Sequence, residues 1–317
     1  MVIQDACEIF IVFCEQTKKL SPHTIKAYRR DLKTFIEIAG PNTKIEIIDR
    51  KSINTYVNAL FAQGLSKATV KRRLACLKSL FKRLENEDLI DHSPFYRLDL
   101  KIRLPQRLPR NLSVQELNKL LSTSKAKLGL PRKSDYEKDD FGTIEKRNIN
   151  NLSTLLCTEL LFATGIRVGE LTDIYLSDIY LNEKYIHIRG KGQRERRVFI
   201  TDNSIQNLIK SYIHYRKVTN PNHEKLLVNS RGRPATAQIV RIWIKKVSKL
   251  ACLNRTATPH MYRHSTATEL LSSGVDIVYV QKLLGHQSIS TTQIYAHINH
   301  VDLFNNILKA NIRRDIL

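Results

Sequence analysis

The sequence lacks any apolar run that could cross a membrane and any pair of cysteines spaced as a redox or metal motif. A membrane span needs about 18 uninterrupted apolar residues. The apolar stretch at positions 9–13 is far shorter, and Asp5 and Glu8 precede it where a signal peptide would be basic. The five cysteines are odd in number with no C-x-x-C pair, which predicts buried free thiols. These absences predict a cytoplasmic protein.

Acidic residues are scarce relative to basic ones. Lys and Arg total 52 against 30 Asp and Glu, a formal charge of +22, and the excess runs through both halves of the chain. A folded chain this basic usually binds a polyanion, most often nucleic acid, although a basic surface without a special partner is the plain alternative. No basic amphipathic helix of the membrane-surface kind stands out, so no membrane role is expected.

Positions 1–100 carry helical patterns and predict one helical domain. Ser21 has the character of an N-cap, with proline at the next position, and Ser66 begins another helix. The helix after Ser66 has an apolar side and a basic remainder. A solvated face is one interpretation of that remainder. The other is contact with a DNA backbone, for which the candidates are Lys67, Lys71 and Arg72.

Positions 101–110 predict an extended basic linker, because they contain Pro105, Pro109 and several basic residues, including Arg107. Arg107 is a further candidate for DNA contact, since a basic linker suits a chain that crosses a DNA backbone.

Positions 111–317 predict a second domain that mixes helices with a β-hairpin. Ser113 and Glu116 have the spacing of a capping box, and Gly165 ends an apolar helix. Polar positions 125–151 predict a surface insertion. The hairpin has two predicted strands, and the pattern after them is helical to the end of the chain. The ranges are Leu152–Thr164 for the apolar helix, Tyr185–Arg189 and Arg196–Ile200 for the strands, and Asn203 onward for the helical remainder.

Several polar residues in this second domain stand in otherwise apolar surroundings. His260, Arg263 and His264 share one face of a helix, since they are three and four residues apart. Arginines grip phosphate through planar forks of donors, imidazoles and lysines move protons, and a tyrosine can attack phosphorus. No Asp/Glu cluster with metal-ligand spacing accompanies them, which disfavours a two-metal nuclease. The other members of the set are Arg167, Glu170, Lys191, His286 and Tyr295.

The chain resembles the tyrosine recombinase, or phage integrase, family. The matching segments, in the family's order, are Ala163–Leu171 (ATGIRVGEL), Pro259–Ser265 (PHMYRHS) and Leu283–Tyr295 (LLGHQSISTTQIY). Thr24–Leu32 (TIKAYRRDL) resembles the family's core-binding domain, so the resemblance covers nearly the whole chain. One departure is Tyr262, which stands where the family usually has leucine.

The resemblance implies that Arg167 and Arg263 hold the non-bridging oxygens of the scissile phosphate. It implies that Tyr295 is the nucleophile and forms a 3′-phosphotyrosyl link. Glu170 matches a supporting position beside the first arginine. Physical chemistry agrees, because fixed cationic donors stabilise the charge that accumulates on the phosphoryl oxygens.

The resemblance also implies three groups that handle protons and hydrogen bonds. Lys191 would protonate the departing 5′ oxygen, His260 would assist proton transfer, and His286 would donate a hydrogen bond to the phosphate. Lys184 and Arg194 lie near Lys191, and a solvated lysine in a hairpin turn is the alternative interpretation of that residue.

The expected architecture is mainly α: a helical core-binding domain at 1–100, the linker at 101–110, and an α+β catalytic domain at 111–317 with a small antiparallel hairpin.

The expected function is site-specific recombination without a cofactor, by a homotetramer or heterotetramer on double-stranded DNA. The C-terminal tail would pack onto a neighbouring subunit or, alternatively, onto its own. Integration, excision, dimer resolution and cassette movement use the same residues. Type IB topoisomerase or hairpin-telomere resolvase activity, and a silent DNA-binding accessory protein, are the alternative functions.

Overall fold

The computed structural model describes residues 1–100, 102–103, 111–131, 135–137, 141–142, 144–190, 195–285, 305 and 307–310. Four predicted site residues, Arg107, Lys191, His286 and Tyr295, lie outside the described residues. Contacts divide the chain into two units, Met1–Arg107 and Leu108–Leu317. The described residues are mainly helical, with one small antiparallel sheet, which confirms the predicted fold class.

The described part of the first unit contains four α-helices, with aromatic rings in contact in its core. The ring of Phe35 packs edge-on against Tyr56 at 5.2 Å and against Phe81 at 6.1 Å between centroids. Ser21 and Ser66 cap the second and fourth helices, as predicted: each hydroxyl oxygen accepts from the backbone N–H three residues on. The helices are α1 (Ile3–Gln16), α2 (Pro22–Ala39), α3 (Arg50–Ala62) and α4 (Lys67–Asn86).

The second unit is built around one buried helix, α6 (Ile149–Thr164), against which five other α-helices of the described residues pack. Nearly every side chain of α6 is buried, which explains its apolar sequence. The helices of this unit are α5 (Val114–Ala126), α6 (Ile149–Thr164), α7 (Val168–Thr172), α8 (Asn203–Tyr215), α9 (Ala237–Leu250), α10 (Pro259–Ser272) and α11 (Ile277–Leu284). The predicted capping box at Ser113 and Glu116 is confirmed at the start of α5.

The sheet has three antiparallel strands, β1 (Ile179–Tyr180), β2 (Tyr185–Arg189) and β3 (Glu195–Phe199), in that order. The predicted hairpin is therefore present, with its second strand one residue earlier than expected and a short third strand beside it. Ile186 and Ile188 of β2 face Val198 and Arg196 of β3 in register. This inner face of the sheet is buried against the core, except that it carries one arginine.

The described residues of positions 125–151 do not all lie at the surface, as the predicted surface insertion would require. Leu130, Tyr136 and Ile144 are buried in the core of the unit. The Tyr136 hydroxyl donates to the carboxylate of the buried Glu159 on α6, and the Lys125 ammonium lies 4.8 Å from the centre of the Tyr136 ring. Because these buried residues are irregularly spaced, no helical or strand periodicity marks them in the sequence.

The prediction of helix from Asn203 onward is wrong between α8 and α9. Residues 220–236 form a loop in which Val228 bridges Pro234, and Lys225 bridges Tyr175. Asn220 at φ 49° and Gly232 at φ 71° turn the chain in ways that a helix does not allow.

Four cysteines are free and buried, and Cys252 is free and exposed. In the described parts of the chain, no helix is both long and apolar enough to span a membrane. Of the C-terminal tail, Ile307 is 5% exposed and lies in the core of its own unit. At this point the tail packs in cis, the alternative to contact with a neighbour.

Candidate active site

A left-handed turn at Gly165 places the first arginine. Gly165 ends α6 at φ 61°, and Arg167 follows as the N-cap of α7. The backbone N–H of Arg167 donates to Glu170 Oε2 and its Nη1 donates to Oε1, both at 2.9 Å. A carboxylate at this position closes the first turn of a helix. Glu170 therefore fixes both the main chain and the guanidinium of Arg167.

Gly165→Ala is expected to lower the free energy of unfolding by about 2 to 3 kcal/mol, from left-handed strain and crowding together. An added Cβ would lie 2.6 Å from Leu284 Cδ2. Gly274→Ala is the matched control, because Gly274 has φ 82° but nothing within 4 Å of its added Cβ. Thermal unfolding of both variants measures the difference. Equal shifts would show that Leu284 does not restrict this turn.

The second arginine lies on α10, which begins with proline at its first position. Arg263 is only 8% exposed. Its Nη1 donates to the carbonyl oxygen of Gly165 at 2.8 Å, and its Nη2 donates to that of Leu284 at 2.5 Å. Burial, and then repulsion by Arg167, lowers the pKa of Arg263 to about 10. The side chain is still cationic at neutral pH, so the site holds a desolvated positive charge.

Glu170 is the carboxylate at the centre of this cluster. It is 8% exposed and accepts hydrogen bonds from two guanidinium groups. Arg196 Nη1 donates to Oε1 at 3.1 Å, and Arg196 Nη2 donates to Oε2 at 2.7 Å. Burial alone would raise the pKa of Glu170, but hydrogen bonds from Arg196 and from the Arg167 backbone outweigh it, so the pKa is lowered. Glu170 is thus held as a carboxylate.

Three guanidinium groups converge on the last carbonyls of α11 and the turn after it. Arg196 Nε donates to Leu283 O at 2.7 Å, Arg263 to Leu284 O, and Arg167 Nη2 to Gly285 O at 3.0 Å. Cations at the C-terminus of a helix also meet the negative end of its dipole. With one carboxylate among three guanidinium groups, the cluster keeps an excess of positive charge, which suits a phosphodiester.

The structure brings three of the predicted site residues together: Arg167, Glu170 and Arg263. His260 is exposed at the start of α10, one turn before Arg263. Gly285, at φ 66°, is the last described residue before the segment that contains His286 and Tyr295. Lys191 lies in the sequence between β2 and β3, at positions 191–194 that are also outside the described residues.

Arg196 was not predicted as a site residue. A usable signal was present, because Arg196 and Val198 alternate with outward-facing residues and so share the buried face of β3. A cation on a buried face needs a paired carboxylate or carbonyl. Sequence spacing alone does not identify that partner, since Glu170 is 26 residues away.

Two further groups of exposed basic residues lie on helices, one in each unit. On α4, Lys67 and Lys71 are exposed, whereas Arg72 donates two hydrogen bonds to the buried Asp31 of α2. On α9, the exposed face carries only basic charges, and no acidic residue occurs in the helix. The basic residues of that face are Arg241, Lys245, Lys246 and Lys249, none of which is among the predicted site residues.

Among the residues that the structure describes, no three His, Cys, Asp or Glu side chains are grouped so that they could hold a metal ion.

Comparison with known proteins finds similarity along nearly the whole chain. The model for the phage integrase family matches residues 136–301, and that for the phage integrase N-terminal SAM-like domain matches 8–88. A tyrosine recombinase of Agathobacter rectalis is 35% identical over 301 residues, which cover 93% of this chain and 92% of the relative. The tyrosine recombinase XerC of Listeria innocua is 32% identical over 310 residues, 96% of each chain.

Solved structures similar in both sequence and fold include the crystal structure of the XerH site-specific recombinase bound to its difH substrate in a pre-cleavage complex. The TM-score is 0.63 at 25% identity, and the match covers 92% of this chain and 80% of the XerH chain.

Proposed function

The chain belongs to the phage integrase family and is a tyrosine recombinase, and we propose that it cuts and rejoins DNA at specific sites through a 3′-phosphotyrosyl bond to Tyr295. The observation that carries this proposal is the cluster of Arg167 and Arg263 around Glu170. One exposed and one buried arginine, both held by hydrogen bonds and with an excess of positive charge, are arranged to receive one phosphate group.

In the proposed reaction, the two arginines bind the non-bridging oxygens of the scissile phosphate. Arg167 is the accessible member, with 42% of its side chain exposed, and Arg263 supplies a charge that water does not screen. The Tyr295 oxygen attacks phosphorus, the bond to the 5′ oxygen breaks, and the phosphate becomes an ester of tyrosine. Since one ester replaces another, the reverse attack by a 5′ hydroxyl rejoins DNA without ATP.

Proton transfer is assigned to residues on three different segments. Lys191 protonates the departing 5′ oxygen, His260 assists proton transfer from its place on α10, and His286 donates a hydrogen bond to the phosphate. These roles are supported by the family's motifs. The exposed position of His260, one turn before the buried Arg263, is consistent with contact to substrate.

Tyr295→Phe is expected to abolish the covalent adduct completely, because the phenolic oxygen is the attacking atom. The measurement uses a nicked suicide duplex, which traps the adduct when the short cut strand diffuses away, followed by a denaturing gel. Tyr279→Phe on α11 is the control and should still form adduct. A wild-type protein that forms none, or a Tyr295→Phe variant that forms some, would refute the mechanism.

A plasmid with two target sites tests whether strands are exchanged between duplexes. Recombinant products support the proposal, and relaxation without recombinants would indicate topoisomerase-like action on one duplex. The named relatives are recombinases and do not favour the topoisomerase, resolvase or silent-accessory alternatives.

Double-stranded DNA is proposed to lie against the basic groups on α4 and α9. Each lysine that neutralises a phosphate releases counterions and adds about 0.9 to the slope of log affinity against log salt concentration. We expect the double variants Lys67→Gln/Lys71→Gln and Lys245→Gln/Lys246→Gln each to flatten that slope by about 1 to 2. Titrations at several salt concentrations measure it. Lys210→Gln, an exposed lysine of α8, is the control, and an equal effect there would argue against both faces.

The proposed assembly is a tetramer on two duplexes, made of this chain alone or together with a second recombinase. Arg72 and Arg107 remain proposed DNA contacts, although both terminal nitrogens of Arg72 already bind Asp31. The C-terminal tail is the proposed contact between subunits. At Ile307, however, the tail packs into the core of its own subunit. Because the proposed substrate is DNA, we propose that the protein acts in the cytoplasm.

A further inference from the structure

Arg196 makes more directional contacts with the cluster than a simple ion pair would. Its three guanidinium nitrogens reach two different elements: Nη1 and Nη2 donate to the two oxygens of Glu170, and Nε donates to Leu283 O. Only 14% of its side chain is exposed. One planar side chain thus ties the start of α7 to the end of α11.

The position of Arg196 in the sheet explains why it can do this. It lies opposite Ile188 in the β2–β3 register, on the same face as Val198. A strand fixes the direction in which such a side chain leaves the sheet.

Glu170 divides its hydrogen bonds between the two arginines. Each of its oxygens accepts one bond from Arg167 and one from Arg196. Without Arg196, Glu170 would rotate or draw the Arg167 guanidinium toward itself, and the Leu283 carbonyl would lose its donor. The first change would move the Arg167 guanidinium, which is proposed to bind the phosphate, and the second would release the end of α11.

We propose that Arg196 is a positioning residue for DNA cleavage, which holds Glu170 and the end of α11 so that the Arg167 guanidinium meets the scissile phosphate in the correct orientation. The inference rests on the proposed function. A displacement of about 1 Å in such a group lowers a rate by about a hundredfold. Arg196 itself does not touch the phosphate in this assignment.

The test compares Arg196→Ala and Arg196→Lys with Arg197→Ala, a neighbour on the outward face whose guanidinium lies 4.7 Å from the Tyr185 ring. The single-turnover rate of adduct formation and the DNA affinity are measured separately. Both are measured at a temperature well below the lowest unfolding temperature among the variants. We expect Arg196→Ala to lower the rate by about a hundredfold with affinity nearly unchanged. Arg196→Lys keeps the charge but cannot span Glu170 and Leu283, so an intermediate rate is expected. Arg197→Ala should cleave normally.

A neutral phosphate separates positioning from a general effect on folding. With methylphosphonate at the scissile position, the transition state carries one negative charge fewer and depends less on the arginines. The rate ratio between wild type and Arg196→Lys should therefore shrink several-fold on that substrate, whereas a folding defect would leave it unchanged.

A normal rate for Arg196→Lys, or an equal rate ratio on both substrates, would overturn the inference while leaving the proposed function intact. An absence of adduct with wild-type protein would instead overturn the proposed function. If Arg196→Ala does not fold, the lysine variant on the two substrates still gives the answer.

Discussion

Arg263→Lys is expected to lower the rate of adduct formation by roughly 10²- to 10³-fold, the usual cost of removing one preorganised donor to a developing oxyanion. Lysine keeps the charge but loses the planar fork. In this chain the fork has a second task, since Nη1 and Nη2 bind the carbonyls of Gly165 and Leu284. One ammonium group cannot bind both carbonyls and a phosphate oxygen in the same directions. DNA affinity should change little, because most phosphates contact other residues.

The matched control for this prediction is Arg216→Lys. Arg216 is also buried, at 5% exposed, and its Nη2 donates to two backbone carbonyls, those of His223 and Lys225, in a loop with no predicted site residue. Both substitutions should lower the unfolding temperature, but only Arg263→Lys should slow adduct formation in single-turnover assays. If the two variants cleave equally well, Arg263 has a structural role alone.

The sequence predicts those parts of the fold that depend on local chemistry. Ser21, Ser66 and Ser113 were identified as helix starts because an N-cap needs a side-chain oxygen beside the first free N–H groups. Gly165 was identified as a helix end for a similar local reason. The burial of Leu130, Tyr136 and Ile144 does not follow from the sequence, since it depends on contacts with other segments, such as that of Tyr136 with Glu159.

The same distinction applies to the candidate site. Arg167 and Glu170 are neighbours in sequence, and Arg263 lies in a specific motif, so resemblance identifies all three. The shared partners of these residues do not follow from spacing, because the carbonyls at 283–285 approach them only when α11 packs beside β3 and α10. Arg196 was not predicted for the same reason. It bridges Glu170 and Leu283, which are far apart in the sequence, and no motif marks that contact.

Glu170→Gln is expected to lower the free energy of unfolding by about 3 to 5 kcal/mol, the usual cost of removing one partner from a buried ion pair. The amide is isosteric, so packing is kept. What is lost is the charge that Arg167 and Arg196 share, and the amide NH₂ would face at least one guanidinium. For a unit of this size, the unfolding temperature should fall by roughly 10 °C. Adduct formation should slow as well, since Arg167 loses its support.

Glu116→Gln supplies the control, because Glu116 repeats the same bonding pattern at the surface. Its oxygens accept from the Ser113 backbone and from Arg255 Nε and Nη2, but its side chain is 23% exposed. Partial solvation should limit the loss to about 1 kcal/mol. A comparison of the loss of unfolding free energy in the two variants would thus separate the effect of burial of the ion pair from the effect of its hydrogen-bond geometry.

The pH dependence of the unfolding temperature also tests whether the charge of the Glu170 carboxylate holds the two arginines together. The pKa of Glu170 is lowered from an ordinary value of 4.5, so the folded state binds the proton less readily than the unfolded chain. The stabilisation from the carboxylate is therefore complete above that ordinary value and is lost as the pH falls through the lowered pKa of the folded state. The gap in unfolding temperature between wild type and Glu170→Gln should be constant at neutral pH and close on acidification. A gap that is independent of pH down to that range would mean that the carboxylate charge does not hold the two arginines together.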